Sequence, residues 1–219
     1  MFRRLINKTP LTGKEGDYLV DRLAEEAENF IRGNADTPFF LMLSHYAVHA
    51  PLQGQRDKTA RYEEIVANDR QGKPAYAAMV ESVDDSVGRV MRTLSELKLD
   101  ERTLVIFTSD NGGFAKATSN FPLRANKGSN YAGGLRVPFI VRWPGKIKPC
   151  AVSKEPVIGM DLFPTILEAT GQQLRSHQHV DGESLVPILT QSGRLKRDAI
   201  YWHYPHYNQH PSGVIRAGN

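Results

Sequence analysis

Long helical stripes alternate with short apolar runs along this chain, and that alternation restricts its possible folds more than any other feature. After Pro74, apolar residues keep to one helical face as far as Leu97. Pro74 itself suits the first turn of a helix, where a missing N–H is tolerated. Residues 103–109 then form a short, continuous apolar run, which is typical of a strand buried on both faces. The pattern predicts a helix that passes directly into a strand.

Three further helices are predicted from apolar periodicity and from end signals. The first begins with Asp17 as its N-cap and stops at Gly33. The second is capped by Asp161 and closes at Gly171. A short third helix is predicted at residues 185–189.

Two more apolar runs predict further strands: residues 38–44, predicted to be buried on both faces, and residues 137–145, which end in a Pro-Gly turn. Residues 50–73 are polar and irregular and predict a loop, whereas the Gly-, Asn- and Ser-rich segment 114–136 predicts a long functional loop. The alternation indicates an α/β fold with a mostly parallel sheet and helices on both faces, within a single domain. The C-terminal residues 215–219 resemble a strand and turn that end before their partner.

Composition excludes several classes of function. Cys150 is the only cysteine, so an intrachain disulfide or a thiolate metal cluster cannot form. The net charge of +4 is spread along the chain without a basic stripe, which argues against nucleic-acid binding. The N-terminal residues contain no apolar run long enough for a signal peptide or a membrane span. The compartment is left open.

Asp110 and Asn111 lie directly after the predicted strand 103–109. In open α/β sheets, ligands bind at the carboxyl ends of the strands. A carboxylate beside a carboxamide offers the hard oxygen ligands that calcium or magnesium prefers. The same residue types are common in turns without any ligand, so both interpretations remain open here.

His45 and His49 follow another predicted strand. A zinc pair of the HExxH type is excluded, because Tyr46 stands where the glutamate is needed and the preceding run is a strand. Either one histidine packs and the other is solvated, or a histidine serves as a cationic or hydrogen-bonding group at an anion site.

Lys127 lies in a glycine-rich segment that ends at Pro138. Glycines allow the backbone to approach a ligand closely, and a lysine supplies a point charge suited to an oxyanion. The spacing differs from that of a Walker phosphate loop. A glycine-rich surface loop with an incidental lysine is the alternative.

Two other clusters carry weaker signals. His203, His206 and His210 lie among aromatic residues and indicate either a substrate-facing wall or a metal cluster without defined geometry. Asp85 and Arg89 are predicted to form an ordinary i,i+4 ion pair on the long helix.

Taken in order along the chain, these segments resemble the sulfatase family of the alkaline-phosphatase superfamily. The resemblance implies an alkaline-phosphatase-like α/β fold and hydrolysis of a small-molecule or carbohydrate sulfate ester. It implies that Asp110 and Asn111 bind calcium, that His49 contacts the sulfate or its ester oxygen, and that Lys127 neutralises the sulfate. The segments that carry the resemblance include PFFLMLSHYAVHAP, VIFTSDNGG, KGSNYAGGLRVPFIVRWPG, DLFPTILEATG and DGESLVPIL.

The chain also departs from the family pattern. Sulfatases use a formylglycine made within Cys/Ser-x-Pro-x-Arg, and this sequence has no such motif. Cys150 has the wrong neighbours, the early Asp-Asp metal pair is missing, and Ala132 stands where the family usually has glutamate. Residues 1–219 are therefore expected to be the central and C-terminal part of a catalytic domain, incomplete at both ends. Alone, the chain is expected to be inactive and to bind calcium poorly.

Two alternatives remain open at this point. A phosphodiesterase or phosphatase of the same superfamily would usually show more His and Asp ligands for a two-metal site. A non-catalytic remnant that acts as a binding module would form a stable monomer with a closed sheet, whereas a fragment would expose apolar strand edges.

Overall fold

The computed structural model describes residues 13–66, 72–175, 177–178, 181–204 and 211–218. They fall into two compact units. The first, here called the helical unit, runs to Asp100 and includes Phe114–Ser119. The second, the strand unit, comprises Glu101–Gly113 and the chain from Asn120 onward. In this described part, no helix combines the length and hydropathy that crossing a membrane requires.

The helical unit consists of α1 (Leu19–Gly33), α2 (Arg56–Val66) and α3 (Pro74–Glu96), and α3 packs against both of the others. The predicted helices that became α1 and α3 are confirmed, including Pro74 in the first turn of α3. Their apolar stripes meet in the core of the unit, whose buried members include Ala24, Ala27, Ile31, Ala78, Met79 and Leu94.

The prediction that Asp17 caps α1 is wrong. Tyr18 occupies the N-cap position and makes no capping hydrogen bond through its side chain. The Asp17 carboxylate instead accepts a hydrogen bond from the backbone N of Lys14 at 2.7 Å. The Asp17 oxygen that could have capped the helix is therefore used in the turn that precedes it.

The prediction of a loop over residues 50–73 is also wrong, because α2 lies within it. The helix is polar and carries no clear apolar stripe. Its anchor is Lys58, whose Nζ lies 2.5 Å from Oδ2 of Asp85 and 3.1 Å from Oγ of Ser82. A tertiary polar contact stabilises this helix, and sequence periodicity does not report such contacts.

The predicted Asp85–Arg89 pair does not form. Asp85 pairs with Lys58, and Arg89 lies 2.5 Å from the Glu28 carboxylate of α1. The Arg89 guanidinium also donates to the backbone O of Asp21 at 3.2 Å. Contacts between helices have replaced the weak pair along one helix, and hydrogen bonding to Arg89 lowers the pKa of the Glu28 carboxyl.

Residues 38–44 belong to neither of the two strand pairs found in the described part of the chain. Burial alternates along the segment, and the side chains of Phe40 and Met42 are 43% and 73% exposed. The prediction of a strand buried on both faces is therefore wrong for these residues. An apolar run supplies side chains for a core, but it does not by itself specify the hydrogen-bond ladder that defines a strand.

The described residues of the strand unit form two antiparallel pairs. In the first, β1 (Val105–Thr108) pairs with β2 (Phe139–Arg142), with Val105 opposite Arg142. Both strands were predicted, but not as an antiparallel pair. Phe107 is 37% exposed, so the expectation that the strand at 103–109 is buried on both faces is wrong. In β2, Ile140 is 62% exposed.

The second pair joins β3 (Ala199–Tyr204) to β4 (Ser212–Ala217). The C-terminal strand thus finds its partner earlier in the chain, and the expectation that it ends before its partner is wrong. The remaining helices of the unit are α4 (Ala132–Leu135), α5 (Leu162–Ala169) and α6 (Val186–Leu189). The predicted helices that became α5 and α6 are confirmed.

Asp161 anchors this last part of the unit. It holds the N-cap position of α5, as predicted, but its carboxylate makes no capping bond. Its oxygens accept hydrogen bonds from the backbone N atoms of Ile158 and Glu183, at 2.9 and 3.0 Å. The guanidinium of Arg197 binds both oxygens, at 2.5 and 2.7 Å. Asp161 is fully buried, so this bidentate pair joins α5 to the segment before β3.

Candidate functional site

The turn after β1 carries the first candidate residues. Asp110 is exposed and Asn111 is half-buried. The hydroxyl of Ser109 donates to Oδ1 of Asp110 at 3.4 Å, which is a long and weak hydrogen bond. The carboxylate therefore remains accessible at the end of the strand, where a ligand would approach it.

Backbone hydrogen bonds tie this turn to the loop that carries Lys127. The N of Gly112 donates to the O of Gly134 at 2.9 Å, and the N of Lys127 donates to the O of Gly113 at 3.0 Å. Asn120 closes the same junction, because its side chain both donates to Gly113 O and accepts from Gly113 N, at 2.9 and 3.0 Å. The junction holds the backbone of Lys127 beside the turn that contains Asp110 and Asn111.

Glycine is required at this junction because the backbones approach so closely. A Cβ at Gly112 would lie 1.8 Å from the O of Gly133, and one at Gly134 would lie 2.0 Å from the O of Ser129. Real Cβ atoms essentially never come within 3.0 Å of such an atom. The approach at Gly112 is between the two segments, whereas the approach at Gly134 is within the Lys127 loop, where the lack of a side chain lets the loop backbone fold on itself.

Two further contacts shape the Lys127 loop. The guanidinium of Arg124 stacks over the ring of Tyr131, 3.8 Å from its centroid. Nδ2 of Asn130 donates to Oγ of Ser212 at 2.7 Å, so the loop is tied to the start of β4. Sequence reasoning missed Asn120, Arg124 and Asn130, and no spacing in the sequence marks them as partners.

His49 lies in the helical unit and is exposed. Its backbone N donates to the O of Tyr46 at 2.8 Å, and its Nδ1 lies 2.9 Å from the O of Ala50. A carbonyl oxygen can only accept, so this contact requires the proton on Nδ1. In the neutral ring, Nε2 is then left as an acceptor on an exposed side chain.

His45 has the opposite environment. It is half-buried, and its Nε2 lies 3.1 Å from Oγ of Ser86 on α3. Within the described chain, its Nδ1 is buried and makes no hydrogen bond. Burial lowers the pKa of the His45 imidazole, because desolvation disfavours the charged form. Of the two histidines in this loop, one is packed and the other is solvated.

Replacing His45 with glutamine should reduce the acid sensitivity of the chain. Because burial lowers the pKa of His45, the unfolded chain binds the proton at a higher pH than the folded chain does. Stability from the neutral imidazole is therefore present above about pH 6.5 and is lost as pH falls through the lower, folded-state pKa. Melting followed by far-UV circular dichroism at about pH 7.5 and about pH 5.5 should show a smaller fall in Tm for His45→Gln.

The matched control is His49→Gln, because His49 is exposed. Its fall in Tm should equal that of the unsubstituted chain. An equal fall for His45→Gln would contradict the assignment of acid sensitivity to the packed histidine.

The predicted aromatic wall is only partly described. His203 lies on β3, is exposed, and stands opposite Gly213 of β4. It shares a strand face with Tyr201, which is 67% exposed. His206 and His210 lie outside the described residues.

The side chains of Asp110 and Asn111 fit part of the coordination shell of a calcium ion. Asp110 and Asn111 place two hard oxygen donors side by side, whereas calcium takes six to eight oxygens. Over the ranges that the structure describes, no three His, Cys, Asp or Glu side chains are grouped so that they could share a metal ion. These two residues would therefore contribute ligands to a calcium ion without completing its coordination.

Comparison with known proteins identifies the family. The sulfatase family model matches residues 3–172. This chain belongs to the sulfatase family. A sulfatase from Formosa agariphila is 38% identical over 206 residues, covering 87% of this chain and 37% of the relative. Mouse steryl-sulfatase is 36% identical over 211 residues, covering 91% of this chain and 32% of the relative.

A solved structure has the same fold. The crystal structure of Ps i-CgsB in complex with k-i-k-neocarrahexaose has a TM-score of 0.83 and 35% sequence identity, and the match covers 94% of this chain and 46% of that chain. The predicted alkaline-phosphatase-like α/β fold is thereby confirmed. This sulfatase chain spans about a third of the length of the curated relatives it matches.

Proposed function

We propose that this chain belongs to a sulfuric ester hydrolase and carries part of its sulfate- and calcium-binding site. The junction that holds Lys127 beside the Asp110–Asn111 turn is the observation that supports this most directly, with the Lys127 N bonded to the Gly113 O at 3.0 Å. An oxyanion needs a fixed cation near it, and a rigid backbone junction fixes the position from which Lys127 extends.

Each candidate residue has a chemical role in this proposal. The ammonium of Lys127 would neutralise the sulfate, and the oxygens of Asp110 and Asn111 would bind calcium, which supplies positive charge to the developing anion. His49 keeps its proton on Nδ1 through Ala50, so its Nε2 would contact the sulfate or its ester oxygen. His203 and His206 would contact the remainder of the substrate.

The proposed substrate is a carbohydrate sulfate ester. Ps i-CgsB, whose solved structure is 35% identical to this chain, was crystallised in complex with k-i-k-neocarrahexaose. Pig N-acetylgalactosamine-6-sulfatase is 34% identical over 211 residues, covering 93% of this chain and 38% of the relative. These two likenesses support a sulfated sugar as the substrate, and the likeness to mouse steryl-sulfatase makes a sulfated steroid the alternative.

The isolated chain is proposed to be inactive for want of a nucleophile. The printed sequence contains no Cys/Ser-x-Pro-x-Arg motif. The hydroxyl of Ser86 lies beside His45, but Ser86 is 1% exposed and cannot reach a substrate. Residues 1–219 are accordingly proposed to be the central and C-terminal part of the catalytic domain.

Calcium binding tests the proposed site directly. We expect the chain to bind calcium with a Kd on the order of 1 mM, because two residues supply few of the ligands required. At ten times that concentration, calcium should stabilise the folded chain by about 1.4 kcal/mol, measured as a rise in Tm. Asp110→Ala should abolish the rise. Asp84→Ala, which removes an exposed carboxylate on α3, should leave it unchanged.

The same samples should show no turnover of nitrocatechol sulfate. A calcium-dependent rise in Tm that persists in Asp110→Ala would show that Asp110 is not a calcium ligand. Turnover that disappears in His49→Ala would reveal a nucleophile within this chain and refute its proposed inactivity.

A further inference from the structure

The two faces of the β3–β4 pair have different surroundings. In an antiparallel pair, residues that stand opposite each other share a face, and successive residues of one strand alternate between the faces. Tyr204 stands opposite Ser212, so these two side chains lie on one face, here called the Tyr204 face. His203 stands opposite Gly213 and lies on the other face, together with Tyr201.

The Tyr204 face is turned toward the loop that carries Lys127. Nδ2 of Asn130 donates to Oγ of Ser212 at 2.7 Å, so the loop meets the strand pair on the side of the Ser212 side chain. Directly opposed residues have Cβ atoms about 4.5–5.5 Å apart, which places Tyr204 beside that hydrogen bond. Asn130 follows Lys127 by three residues, so their Cα atoms are at most about 10 Å apart. All four residues belong to the strand unit.

Three kinds of chemical group are thereby brought into one neighbourhood. Tyr204 is 37% exposed, so part of its side chain reaches solvent. Asn130 carries hydrogen-bond donors and an acceptor, Lys127 carries a positive charge, and both residues are half-buried. A sugar ring has hydroxyls at its edge and C–H groups on its face. An amide suits the hydroxyls, and an aromatic ring suits the C–H face.

We propose that Tyr204 contacts a sugar ring of the saccharide whose sulfate Lys127 binds, and that it determines specificity for carbohydrate sulfate esters. This inference rests on the proposed function. The face of an aromatic ring carries partial negative charge and attracts the weakly positive C–H groups of a sugar. Inorganic sulfate has no such groups, so Tyr204 should add affinity only for the sugar ester. His203, on the opposite face, would contact a more distant part of the same saccharide.

NMR titration of the 219-residue chain in calcium, with k-i-k-neocarrahexaose and separately with inorganic sulfate, tests this assignment. Tyr204→Val should weaken hexaose binding about fivefold, because the ring is lost while a β-branched residue preserves the strand. Sulfate binding should be unchanged. Tyr204→Phe keeps the ring and should bind the hexaose as the unsubstituted chain does. Tyr201→Val is the matched control, since it removes a tyrosine from the opposite face of the same strand, and it should bind both ligands normally.

A measurement on the unsubstituted chain does not depend on how the variants fold. Intermolecular NOEs should connect sugar C–H protons of the hexaose with the ring protons of Tyr204, and not with those of Tyr201. NOEs to Tyr201 alone would place the saccharide on the other face of the strand pair and overturn the proposal. Equal losses of hexaose binding in Tyr201→Val and Tyr204→Val would overturn it as well.

Lys127→Ala separates this inference from the proposed function, because it should weaken the binding of both ligands. If it does so while Tyr204→Val binds the hexaose normally, the role of Tyr204 is overturned and the sulfate site stands. If Lys127→Ala binds inorganic sulfate normally, the sulfate site is wrong, and the inference that rests on it is overturned too. An unsubstituted chain that does not bind millimolar hexaose overturns the role of Tyr204, and the calcium experiment then decides the proposed function separately.

Discussion

Replacing Arg197 with alanine should lower the free energy of unfolding of the strand unit by about 3–5 kcal/mol. Asp161 is fully buried, and the guanidinium of Arg197 binds both of its carboxylate oxygens, at 2.5 and 2.7 Å. Without Arg197, the Asp161 charge keeps only its two backbone donors, from Ile158 and Glu183. An uncompensated buried charge is among the most costly defects a point substitution can create.

Urea unfolding followed by tryptophan fluorescence would measure this loss. Trp143 and Trp202 are the only tryptophans and both belong to the strand unit, so the signal reports on that unit. Arg194→Ala is the matched control, because Arg194 is exposed and precedes Arg197 by three residues. A loss below about 1 kcal/mol for Arg197→Ala would show that the pair contributes no more than a surface ion pair does.

Gly112→Ala should disrupt the junction between the Asp110–Asn111 turn and the Lys127 loop. The added Cβ would lie 1.8 Å from the O of Gly133 and 2.7 Å from its carbonyl carbon. Both are backbone atoms, so no side-chain rotation relieves the overlap and the two segments must separate. We expect a loss of about 2–3 kcal/mol in stability, together with loss of the calcium-dependent rise in Tm.

Gly159→Ala provides the control for this change, since a Cβ at Gly159 meets nothing within 4 Å. It should retain both the stability and the response to calcium. If Gly112→Ala kept its calcium response, the junction would not be what positions the turn, and the argument from its geometry would fail.

Helices with clear apolar periodicity were predictable from the sequence. In α1 and α3, the apolar residues that recur at helical spacing are also the residues buried in the core. The local sequence pattern and the tertiary packing therefore predict the same element. The strands β1 and β2 were predictable as elements because each is a short apolar run. Their antiparallel pairing was not, because the order of elements along a chain does not specify which neighbour a strand pairs with.

The errors arose where a long-range polar contact decided the structure. The helix α2 depends on Lys58 reaching Asp85 and Ser82 on α3, which no pattern within α2 records. The same contact removed Asp85 from its predicted pair with Arg89. Residues 38–44 are a different case: they are apolar enough for a strand, but they belong to neither strand pair of the described chain.

In the candidate site, too, some residues were predictable from the sequence and others were not. The sequence marked Asp110, Asn111 and Lys127 because charged and amide residues beside glycines stand out after a strand. It did not mark Asn120, whose side chain closes the junction through two hydrogen bonds to Gly113. An asparagine within a turn-rich loop is ordinary in composition, and only the folded backbone reveals what it joins.

Asn130 and Ser212, which are 82 positions apart, share a hydrogen bond of 2.7 Å. This hydrogen bond links the beginning of β4 to the loop that carries Lys127, so a displacement of β4 would also disturb that loop. Amide exchange at Lys127 should therefore quicken in Ser212→Ala, although the substitution touches none of the proposed ligands. Under the proposed function, a change that alters the β3–β4 pair would therefore also alter the position of the loop from which Lys127 extends.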